Sequence, residues 1–562
     1  MKILNTYQIW KQKNLPKYLK KQLITMSKNE IDEAFATTLE FGTAGMRGII
    51  GVGTGRINEI TIMKATVAFI QHLKSVFSQQ DLLRGVVIAH DNRHFSAEFA
   101  MLTAKTLAKH KIPAFLFKNN ELRPTPILSY SIRKVSAIAG IVITASHNPP
   151  EYNGYKIYDQ YGCQFLPNVT NIISDNMKQL SDDFQLTFDY DAALIKEVPT
   201  TIENNYRNDI KSLQFYPQVK NRNFKIIFSN LHGTSRQWVK PILEECGYEV
   251  ILVTEQANYD PDFKGVVSPN PEVKATFDLA IKYAKKHDAP LIILNDPDAD
   301  RIGIAVKHNN NNNYVLLTGN ETAPILLEYL LSHYQRNNTM PKNPVMYNTF
   351  VTSNLSDMIA KSYGCQIIKT LTGFKWIGAE MLKEKTRNIN FVFGFEEAYG
   401  YVIKDITRDK DGIQSAIVAA EAAWYYQKSQ QTLVDVLETI YQKFGYYYCY
   451  TVNLVLKGIE GEATINNMLE TLRTSKLTTL NNINITKVED YQTGLHGMPS
   501  QNLLKFYFTD GSWFAVRPSG TEPKIKFYFV CIDKTLAAGQ LKMRNMYQEL
   551  ATKYLNIKEV KW

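Results

Sequence analysis

The sequence predicts an α/β protein that is divided into several domains. Short runs rich in β-branched residues alternate with longer segments of helical pattern. The runs lie at residues 85–90, 139–146, 224–230, 290–296 and 389–396, and the clearest helical segments lie at 98–111 and 411–428. Apolar strands without strict alternation, separated by amphipathic helices, are typical of largely buried sheets. A length of 562 residues also exceeds what one hydrophobic core usually serves.

The pattern changes after about residue 440. Tyr and Phe become dense in residues 444–456, and residues 512–517 and 524–531 form short aromatic runs. This part predicts a smaller α+β domain with an antiparallel sheet. Upstream, the polar segment 184–222 is typical of a domain boundary, and the Asn run 309–313 predicts a hairpin tip or a small insertion.

Composition and charge exclude several classes of protein. The formal net charge is +10, from 64 Lys and Arg against 54 Asp and Glu, which is a mild excess that suits a small anionic substrate. Nucleic-acid binding would usually concentrate the charge, so no nucleic-acid partner is expected. The five scattered cysteines contain no C-x-x-C pair, which argues against a disulfide scaffold and a zinc site. Because no apolar run suits a signal peptide or a membrane span, a cytoplasmic protein is predicted.

Ser146 is the first candidate functional residue. An apolar run leads directly into Thr144-Ala-Ser-His-Asn-Pro-Pro150. Since ligands bind at the carboxyl ends of strands in α/β sheets, Ser146 is predicted to lie on an active-site loop with His147 beside it. An ordinary turn is the alternative, because Ser, Asn and Pro are turn residues. A serine hydrolase fits less well, since the G-x-S-x-G elbow is absent.

The second candidate is Asn295-Asp-Pro-Asp-Ala-Asp-Arg301. In an extended chain, Asp296, Asp298 and Asp300 would point the same way, and a cation would stabilise their crowded charges. Oxygen ligands select a hard ion, and an incomplete shell with room for phosphate and water suits Mg²⁺. An EF-hand is excluded, because its Gly and Glu positions hold Arg301 and Lys307. A solvated acidic turn is the alternative.

Two further segments carry polar groups that suit a sugar phosphate. Glu396 and Glu397, at a strand end in Gly394–Tyr401, could bind vicinal hydroxyls, act as acid and base, or cap the next segment. Arg517-Pro-Ser-Gly-Thr-Glu-Pro523 has the composition of a phosphate-binding loop. Its donors would be the fork of Arg517, the hydroxyls of Ser519 and Thr521, and the N–H of Gly520. A plain β-turn is the alternative for this segment.

Two nucleotide-binding motifs are excluded. Gly51-Val-Gly-Thr-Gly55 lacks the G-x-G-x-x-G spacing, and no β-strand of convincing length precedes it. The chain also contains no G-x-x-x-x-G-K-[ST] loop, so ATP-driven chemistry lacks its phosphate-binding motif.

The four segments in this order resemble the α-D-phosphohexomutase superfamily, and the matching motifs span residues 41–523. The resemblance implies four domains around a central cleft, with each motif in a different domain. Three similar α/β domains with mixed sheets would cover residues 1–205, 206–318 and 319–440. A smaller C-terminal α+β domain would cover residues 441–562.

The resemblance also implies a phosphoserine mechanism. Ser146 would pass a phosphoryl group to a hexose monophosphate, and the other phosphate of the bisphosphate would return to Ser146. Asp296, Asp298 and Asp300 would hold Mg²⁺ together with an oxygen of phosphorylated Ser146. For interconversion of glucose 1-phosphate and glucose 6-phosphate, glucose 1,6-bisphosphate would be intermediate and activator.

Further residues match the family's motifs. Arg47, in Gly42–Gly48, would steer the phosphoryl group, while His147, Lys156 and Lys410 are the acid–base candidates. A lysine whose pKa is lowered by neighbouring cations could serve; surface lysines on loops are the alternative for Lys156 and Lys410. The implied substrate contacts are Thr372, Gly373, Lys375, Glu396, Glu397, Arg517, Ser519, Gly520 and Thr521.

One departure leaves the sugar open. Many relatives have Glu-x-Ser in the sugar loop, whereas this chain has Ala398 at the serine position. Residues 372–378 and the chain length resemble the branch that contains phosphoglucomutases and phosphopentomutases. Glucose phosphate is the favoured substrate. The alternatives are a pentose 1-phosphate, a mannose phosphate, and a non-catalytic protein that binds a sugar phosphate. A monomer or homodimer is expected.

Overall fold

A computed structural model describes residues 2–42, 45–182, 185–308, 313–456, 458–475, 477–518 and 524–557. The chain forms two units, each built from two segments. The first unit comprises Met1–Gly319 and Gly373–Thr432, and the second comprises Asn320–Thr372 and Leu433–Trp562. The domain boundaries expected near residues 205, 318 and 440 stay a prediction.

The helices are α1 Lys2–Lys11, α2 Lys17–Thr25, α3 Lys28–Phe35, α4 Glu59–Val76, α5 Gln79–Leu82, α6 Ser96–Lys109, α7 Thr125–Lys134, α8 Pro167–Gln179, α9 Thr200–Lys211, α10 Arg236–Glu245, α11 Asp278–His287, α12 Gly319–Arg336, α13 Leu355–Ser362, α14 Phe374–Met381, α15 Glu384–Arg387, α16 Gly412–Gln427, α17 Leu433–Phe444, α18 Gly458–Thr474 and α19 Leu536–Glu549. None of these described helices is long and apolar enough to cross a membrane.

The strands are β1 Met46–Ile49, β2 Val86–His90, β3 Ala114–Leu116, β4 Ala139–Ile143, β5 Tyr152–Asp159, β6 Ile195–Glu197, β7 Lys225–Ser229, β8 Glu249–Leu252, β9 Leu291–Asn295, β10 Ile302–Lys307, β11 Tyr314–Leu317, β12 Pro344–Thr349, β13 Gln366–Thr370, β14 Asn390–Glu396, β15 Gly400–Val402, β16 Tyr446–Val455, β17 Thr479–Leu480, β18 Ile483–Asp490, β19 Leu504–Phe508, β20 Trp513–Pro518 and β21 Lys524–Asp533. The five strands and the two helices predicted in the first part of the chain are confirmed.

The first sheet of unit 1 has the strand order β1-β5-β4-β2-β3-β6. Strands β4, β2, β3 and β6 are parallel, whereas β5 is antiparallel to both β4 and β1. Every residue of β2 and β4 is buried, because α4, α6 and α7 supply apolar side chains to the sheet. This is a mixed, covered sheet, as predicted.

The second sheet of unit 1 has the order β11-β10-β9-β7-β8. Strand β7 is parallel to β8 and β9, while β10 is antiparallel to β9 and β11. The predicted hairpin around the Asn run is confirmed by the β10–β11 pairing, although residues 309–312 lie outside the described residues. The fully buried strand β9 ends directly before Asp296.

The remaining strands divide between the units. In unit 2, β12 and β13 are parallel, and β16 to β21 form an antiparallel sheet in the order β16-β21-β20-β19-β18-β17. Helices α18 and α19 contribute to the core of that sheet, so the predicted C-terminal α+β domain is confirmed. In unit 1, β14 and β15 pair antiparallel.

The glycine-rich segment 51–55 supports helix packing. Helices α1 to α3 form an apolar cluster that includes Trp10, Phe35 and Val52. Gly53 has φ of 130°, and a Cβ there would lie 2.4 Å from the carbonyl oxygen of Ala34. The segment therefore accommodates α3, which agrees with the exclusion of a dinucleotide loop.

Candidate active site

The loop after β4 presents Ser146 in a left-handed backbone conformation, with φ of 54°. Its N–H donates to Oγ1 of Thr144 at 2.8 Å, which stabilises the turn. The side chain is 1% exposed, and Oγ donates to Oδ2 of Asp296 at 2.8 Å. Nδ1 of His147 lies 3.1 Å from the same Oγ. The predicted loop is confirmed, and it brings Ser146 to the first carboxylate of the Asp triplet.

Arg93, in the loop that follows β2, holds the serine loop through four carbonyl oxygens. Its guanidinium donates to the oxygens of Ser146 at 2.6 Å, Pro149 at 2.7 Å and Tyr152 at 2.9 Å, and also to that of Asn148. Nε lies 3.3 Å from Oδ2 of Asp91, and both side chains are fully buried. Burial lowers the pKa of Arg93 to about 10, which leaves the group charged at neutral pH. The fork therefore fixes the path of the loop that carries Ser146.

Replacement of Arg93 by Lys should reduce kcat roughly a hundredfold with little change in KM. An ammonium keeps the charge but loses the planar fork, so Ser146 would be misplaced. Arg222→Lys is the matched control, because Arg222 is equally buried against Glu421. Steady-state kinetics and thermal unfolding should show similar losses of Tm in both variants but a loss of kcat only in the first. Wild-type kcat in folded Arg93→Lys protein would contradict this role.

The Asp triplet converges because the chain turns after β9. Ala299 has φ of 58°, and its N–H donates to the carbonyl oxygen of Asp296 at 2.9 Å. One carboxylate oxygen from each of Asp296, Asp298 and Asp300 lies within 4.8 Å of the others, and all three residues are buried. The expectation of an extended chain is wrong: a turn with a left-handed residue brings the carboxylates together. A solvated acidic turn is also excluded by the burial.

The carboxylates fit a divalent cation. Among the described residues, Oδ1 of Asp298 and Oδ1 of Asp300 are buried and accept no hydrogen bond. Burial raises the pKa of Asp296 well above its usual range, and the charges of Asp298 and Asp300 raise it further. Oδ1 of Asp300 has only Nε of Arg301 near it, at 3.8 Å, and buried carboxylate oxygens without a hydrogen bond are costly unless a cation reaches them. Oxygen donors of this kind suit a hard ion such as Mg²⁺.

Lys156 and Lys410 both contact the triplet. Nζ of Lys156 lies 2.7 Å from Oδ2 of Asp298 and 3.3 Å from Oδ2 of Asp300, and Nζ of Lys410 lies 3.2 Å from the latter. Burial alone would lower the pKa of each lysine, but the facing carboxylates raise both. The lowered lysine pKa considered from the sequence is therefore wrong for both residues. A surface position is also wrong for both. Both are ammonium groups at neutral pH.

The loop that carries Lys410 is held by Asp409. Oδ2 of Asp409 accepts from the hydroxyl of Tyr158 at 2.8 Å and from Nε2 of Gln164 at 2.6 Å. The methylene chain of Lys410 passes over Gly400, where an added Cβ would lie 2.0 Å from Cδ of the lysine. Gly400 in the sugar-loop motif thus leaves the space through which Lys410 reaches Asp300.

His147 and Arg47 lie at the same loop. Burial, together with the charges of Arg301 and Arg47, lowers the pKa of His147 well below its usual range, so the ring is neutral at pH 7. Arg47 projects from β1 and donates to Oδ1 of Asn148 at 2.7 Å. Its charge interacts with all three carboxylates of the triplet. The structure thus places both predicted residues beside Ser146.

Glu396 ends β14, as predicted, and organises the neighbouring loop. Its Oε1 accepts from the N–H of Gly373 at 2.7 Å. Gly373 has φ of 113°, a conformation that glycine adopts freely, and it directly precedes α14, which carries the buried Lys375. Glu397 and Ala398 follow and are half-buried. Gly373, Lys375, Glu396 and Glu397 all belong to unit 1.

The other predicted substrate contacts belong to unit 2. Arg517 lies near the end of β20, opposite Lys526 of β21, and is half-buried. Thr372 follows β13. The predicted phosphate-binding residues Ser519, Gly520 and Thr521 lie outside the described residues.

Two residues of the site were missed in the sequence. Arg93 follows a buried strand in Asp91-Asn-Arg93, and the parallel pairing of β2 with β4 would have placed it beside the Ser146 loop. Thr125 begins α7, where its N–H donates to the carbonyl oxygen of Asp298 at 2.9 Å. Nothing in the sequence around Thr125 marks this contact.

The chain matches a phosphoglucomutase/phosphomannomutase family over most of its length. Residues 38–183, 204–310 and 318–444 match its alpha/beta/alpha domains I, II and III. Residues 473–543 match its C-terminal domain.

Similar proteins occur in several organisms. A phosphoglucomutase of Staphylococcus epidermidis is 34% identical over 515 residues, which cover 89% of this chain and 92% of the relative. One of Staphylococcus aureus is 33% identical over 511 residues, covering 88% and 90%. The crystal structure of pp63/parafusin from Paramecium, a phosphoglucomutase, has a TM-score of 0.69 at 20% identity and covers 92% of this chain and 96% of that one. A family protein from Burkholderia thailandensis has a TM-score of 0.67 at 16% identity, covering 91% and 97%.

Proposed function

Because the chain belongs to the phosphoglucomutase/phosphomannomutase family, whose members are mutases, we propose that it interconverts α-D-glucose 1-phosphate and glucose 6-phosphate. The observation that carries the proposal is the position of Ser146. Its Oγ lies 2.8 Å from Oδ2 of Asp296, at the edge of a buried carboxylate triplet that fits a divalent cation. A protein that only binds sugar phosphates needs no such nucleophile.

In the proposed reaction, phosphorylated Ser146 passes its phosphoryl group to the free hydroxyl of the sugar phosphate. The P–O bond to Ser146 breaks as the new P–O bond forms, and the hydroxyl proton leaves to a base. The product is glucose 1,6-bisphosphate. After the bisphosphate turns over, its other phosphoryl group returns to Oγ of Ser146 and the monophosphate product is released.

The surrounding side chains have separate tasks in this scheme. Arg47 steers the phosphoryl group, and the neutral ring of His147 can accept a proton. Lys156 and Lys410, both protonated, can donate protons or stabilise negative charge. Asp296, Asp298 and Asp300 would hold Mg²⁺ together with an oxygen of the phosphoserine. When bound, the ion offsets negative charge on the phosphoryl group in transfer.

Substrate recognition is proposed separately for each unit. In unit 1, Gly373, Lys375, Glu396 and Glu397 would bind the sugar. In unit 2, Thr372 and Arg517 would contribute, Arg517 through a bidentate contact with phosphate. From the sequence alone, we also propose Ser519, Gly520 and Thr521 as phosphate contacts. We further propose a cytoplasmic phosphoprotein, in keeping with five cysteines that are all free thiols.

An activity panel tests the substrate. Glucose 1-phosphate, mannose 1-phosphate, ribose 1-phosphate and deoxyribose 1-phosphate are each supplied with Mg²⁺ and a catalytic amount of the matching bisphosphate. We expect the highest kcat/KM with glucose 1-phosphate. Phosphopentomutase activity is the second candidate, because Ala398 lacks the hydroxyl that many relatives offer to a hexose. Negligible turnover of glucose 1-phosphate would overturn the choice of sugar.

A further inference from the structure

Thr125 contacts Asp298 through both its main chain and its side chain. Its N–H donates to the carbonyl oxygen of Asp298 at 2.9 Å, and Oγ1 donates to Oδ2 of the same residue at 3.0 Å. Thr125 is fully buried at the first position of α7. Pro124 and Pro126 flank it and restrict the backbone on both sides. The start of α7, which packs on the first sheet, therefore holds the carboxylate of Asp298, which follows β9 of the second sheet.

The two oxygens of the Asp298 carboxylate have different partners. Oδ2 accepts from Thr125 and, at 2.7 Å, from Nζ of Lys156. Oδ1 is buried and accepts no hydrogen bond from the described residues. Two donors on one oxygen oppose rotation of the carboxylate about its Cβ–Cγ bond. Oδ1 is the oxygen left free on a carboxylate that has one oxygen within 4.8 Å of an oxygen of Asp296 and of Asp300.

We propose that Thr125 is a positioning residue for the divalent cation: by holding Oδ2 of Asp298, it presents Oδ1 as a ligand. This inference rests on the proposed function, which requires a cation at the triplet. Lys156 alone would not fix the carboxylate in the same way, because its Nζ is shared with Asp300 at 3.3 Å. Residues that orient metal ligands through hydrogen bonds commonly control metal affinity.

Titration with Mn²⁺ tests the proposal directly on the full-length, dephosphorylated protein. Mn²⁺ accepts the same oxygen ligands as Mg²⁺, and its free concentration can be followed by electron paramagnetic resonance. Thr125→Val keeps the branched shape and the main-chain bond but loses the hydroxyl, so the Kd for Mn²⁺ should rise about 10- to 100-fold. Thr125→Ser restores the hydroxyl and should restore the affinity.

Thr106→Val is the matched control. Thr106 is buried and its hydroxyl donates to the carbonyl oxygen of Leu102 on the same helix, so this variant should bind Mn²⁺ as the wild type does. In kinetic assays, Thr125→Val should need more Mg²⁺ for half-maximal activity, while KM for glucose 1-phosphate at saturating Mg²⁺ stays unchanged. A general loss of structure would not produce that separation.

The outcomes distinguish the inference from the function on which it rests. Wild-type affinity for Mn²⁺ in folded Thr125→Val protein overturns the inference alone. If the wild type itself turns over sugar phosphates without binding the ion, the proposed cation chemistry fails and the inference with it. Should Thr125→Val not fold, Thr125→Ala and Thr125→Ser are compared, since they differ in the hydroxyl; equal Kd values for this pair overturn the inference.

Discussion

Ser146→Ala should abolish mutase turnover, lowering kcat by roughly four orders of magnitude or more. The hydroxyl is the proposed carrier of the phosphoryl group, and no other side chain occupies its position on the loop after β4. Its loss also leaves Oδ2 of the buried Asp296 without this donor, so Tm should fall modestly while the protein remains folded. Turnover is measured with glucose 1-phosphate and catalytic bisphosphate.

Mass spectrometry adds a second readout for Ser146. The wild-type protein should carry about 80 Da of additional mass on the peptide that contains Ser146, and the Ser146→Ala variant should not. Ser174→Ala is the control, because Ser174 is also buried but accepts a hydrogen bond from the N–H of Phe41, on another part of the first sheet's layer. Substantial turnover in the Ser146→Ala variant would mean that another group carries the phosphoryl.

Asp298→Asn should lower kcat about a hundredfold or more. It should also weaken the binding of Mg²⁺, so that activity responds less to added Mg²⁺ than in the wild type. The change removes one of three anionic ligands and leaves Lys156 facing Asp300 alone. Stability should fall, because burial would raise the pKa of Asp298 but the ammonium of Lys156, at 2.7 Å, holds that pKa below its usual range, and the change leaves this buried ammonium with a weaker partner. The altered response to Mg²⁺, and not the loss of stability, is therefore the readout that identifies the role of Asp298.

The control for this prediction is Asp182→Asn. Asp182 is a partly buried carboxylate that pairs with Lys64 at 2.7 Å, remote in sequence from the triplet. This variant should lose some stability and keep its response to Mg²⁺. If Asp298→Asn showed a wild-type Mg²⁺ titration, the triplet would have a structural role instead.

The sequence sufficed to predict those parts of the site in which the functional residues directly follow a recognisable strand. Ser146 and the Asp triplet each follow a buried strand within a few residues, so hydrophobic pattern and motif sufficed to predict both. The geometry of the triplet was not predictable in the same way. Its convergence depends on Ala299 in a left-handed conformation, which neither residue type nor spacing indicates.

Contacts between segments distant in sequence explain the remaining misses. The pKa values of Lys156 and Lys410 depend on which charges they face, and carboxylates from another sheet are their nearest partners. Arg93 binds backbone oxygens of the Ser146 loop, and Thr125 binds one backbone and one carboxylate oxygen of Asp298. A backbone oxygen carries no signature in the sequence, and the spacing of 173 residues between Thr125 and Asp298 does not reveal the side-chain contact. The start of α16 differs from the predicted start for a local reason: the side chain of Asp411 caps the helix, so this residue does not belong to its first turn.

The interleaving of the two units has a consequence for synthesis of the chain. Neither unit is a continuous segment, since residues 320–372 interrupt the first and residues 373–432 interrupt the second. As the ribosome extends the chain, Asp300 emerges well before Lys410, which is made only after a stretch of the other unit. During translation, the Asp triplet is therefore complete before Lys410, its second ammonium partner, has been added to the chain. A single proteolytic cut or fusion point cannot separate the units, so engineering should treat the chain as one folding system.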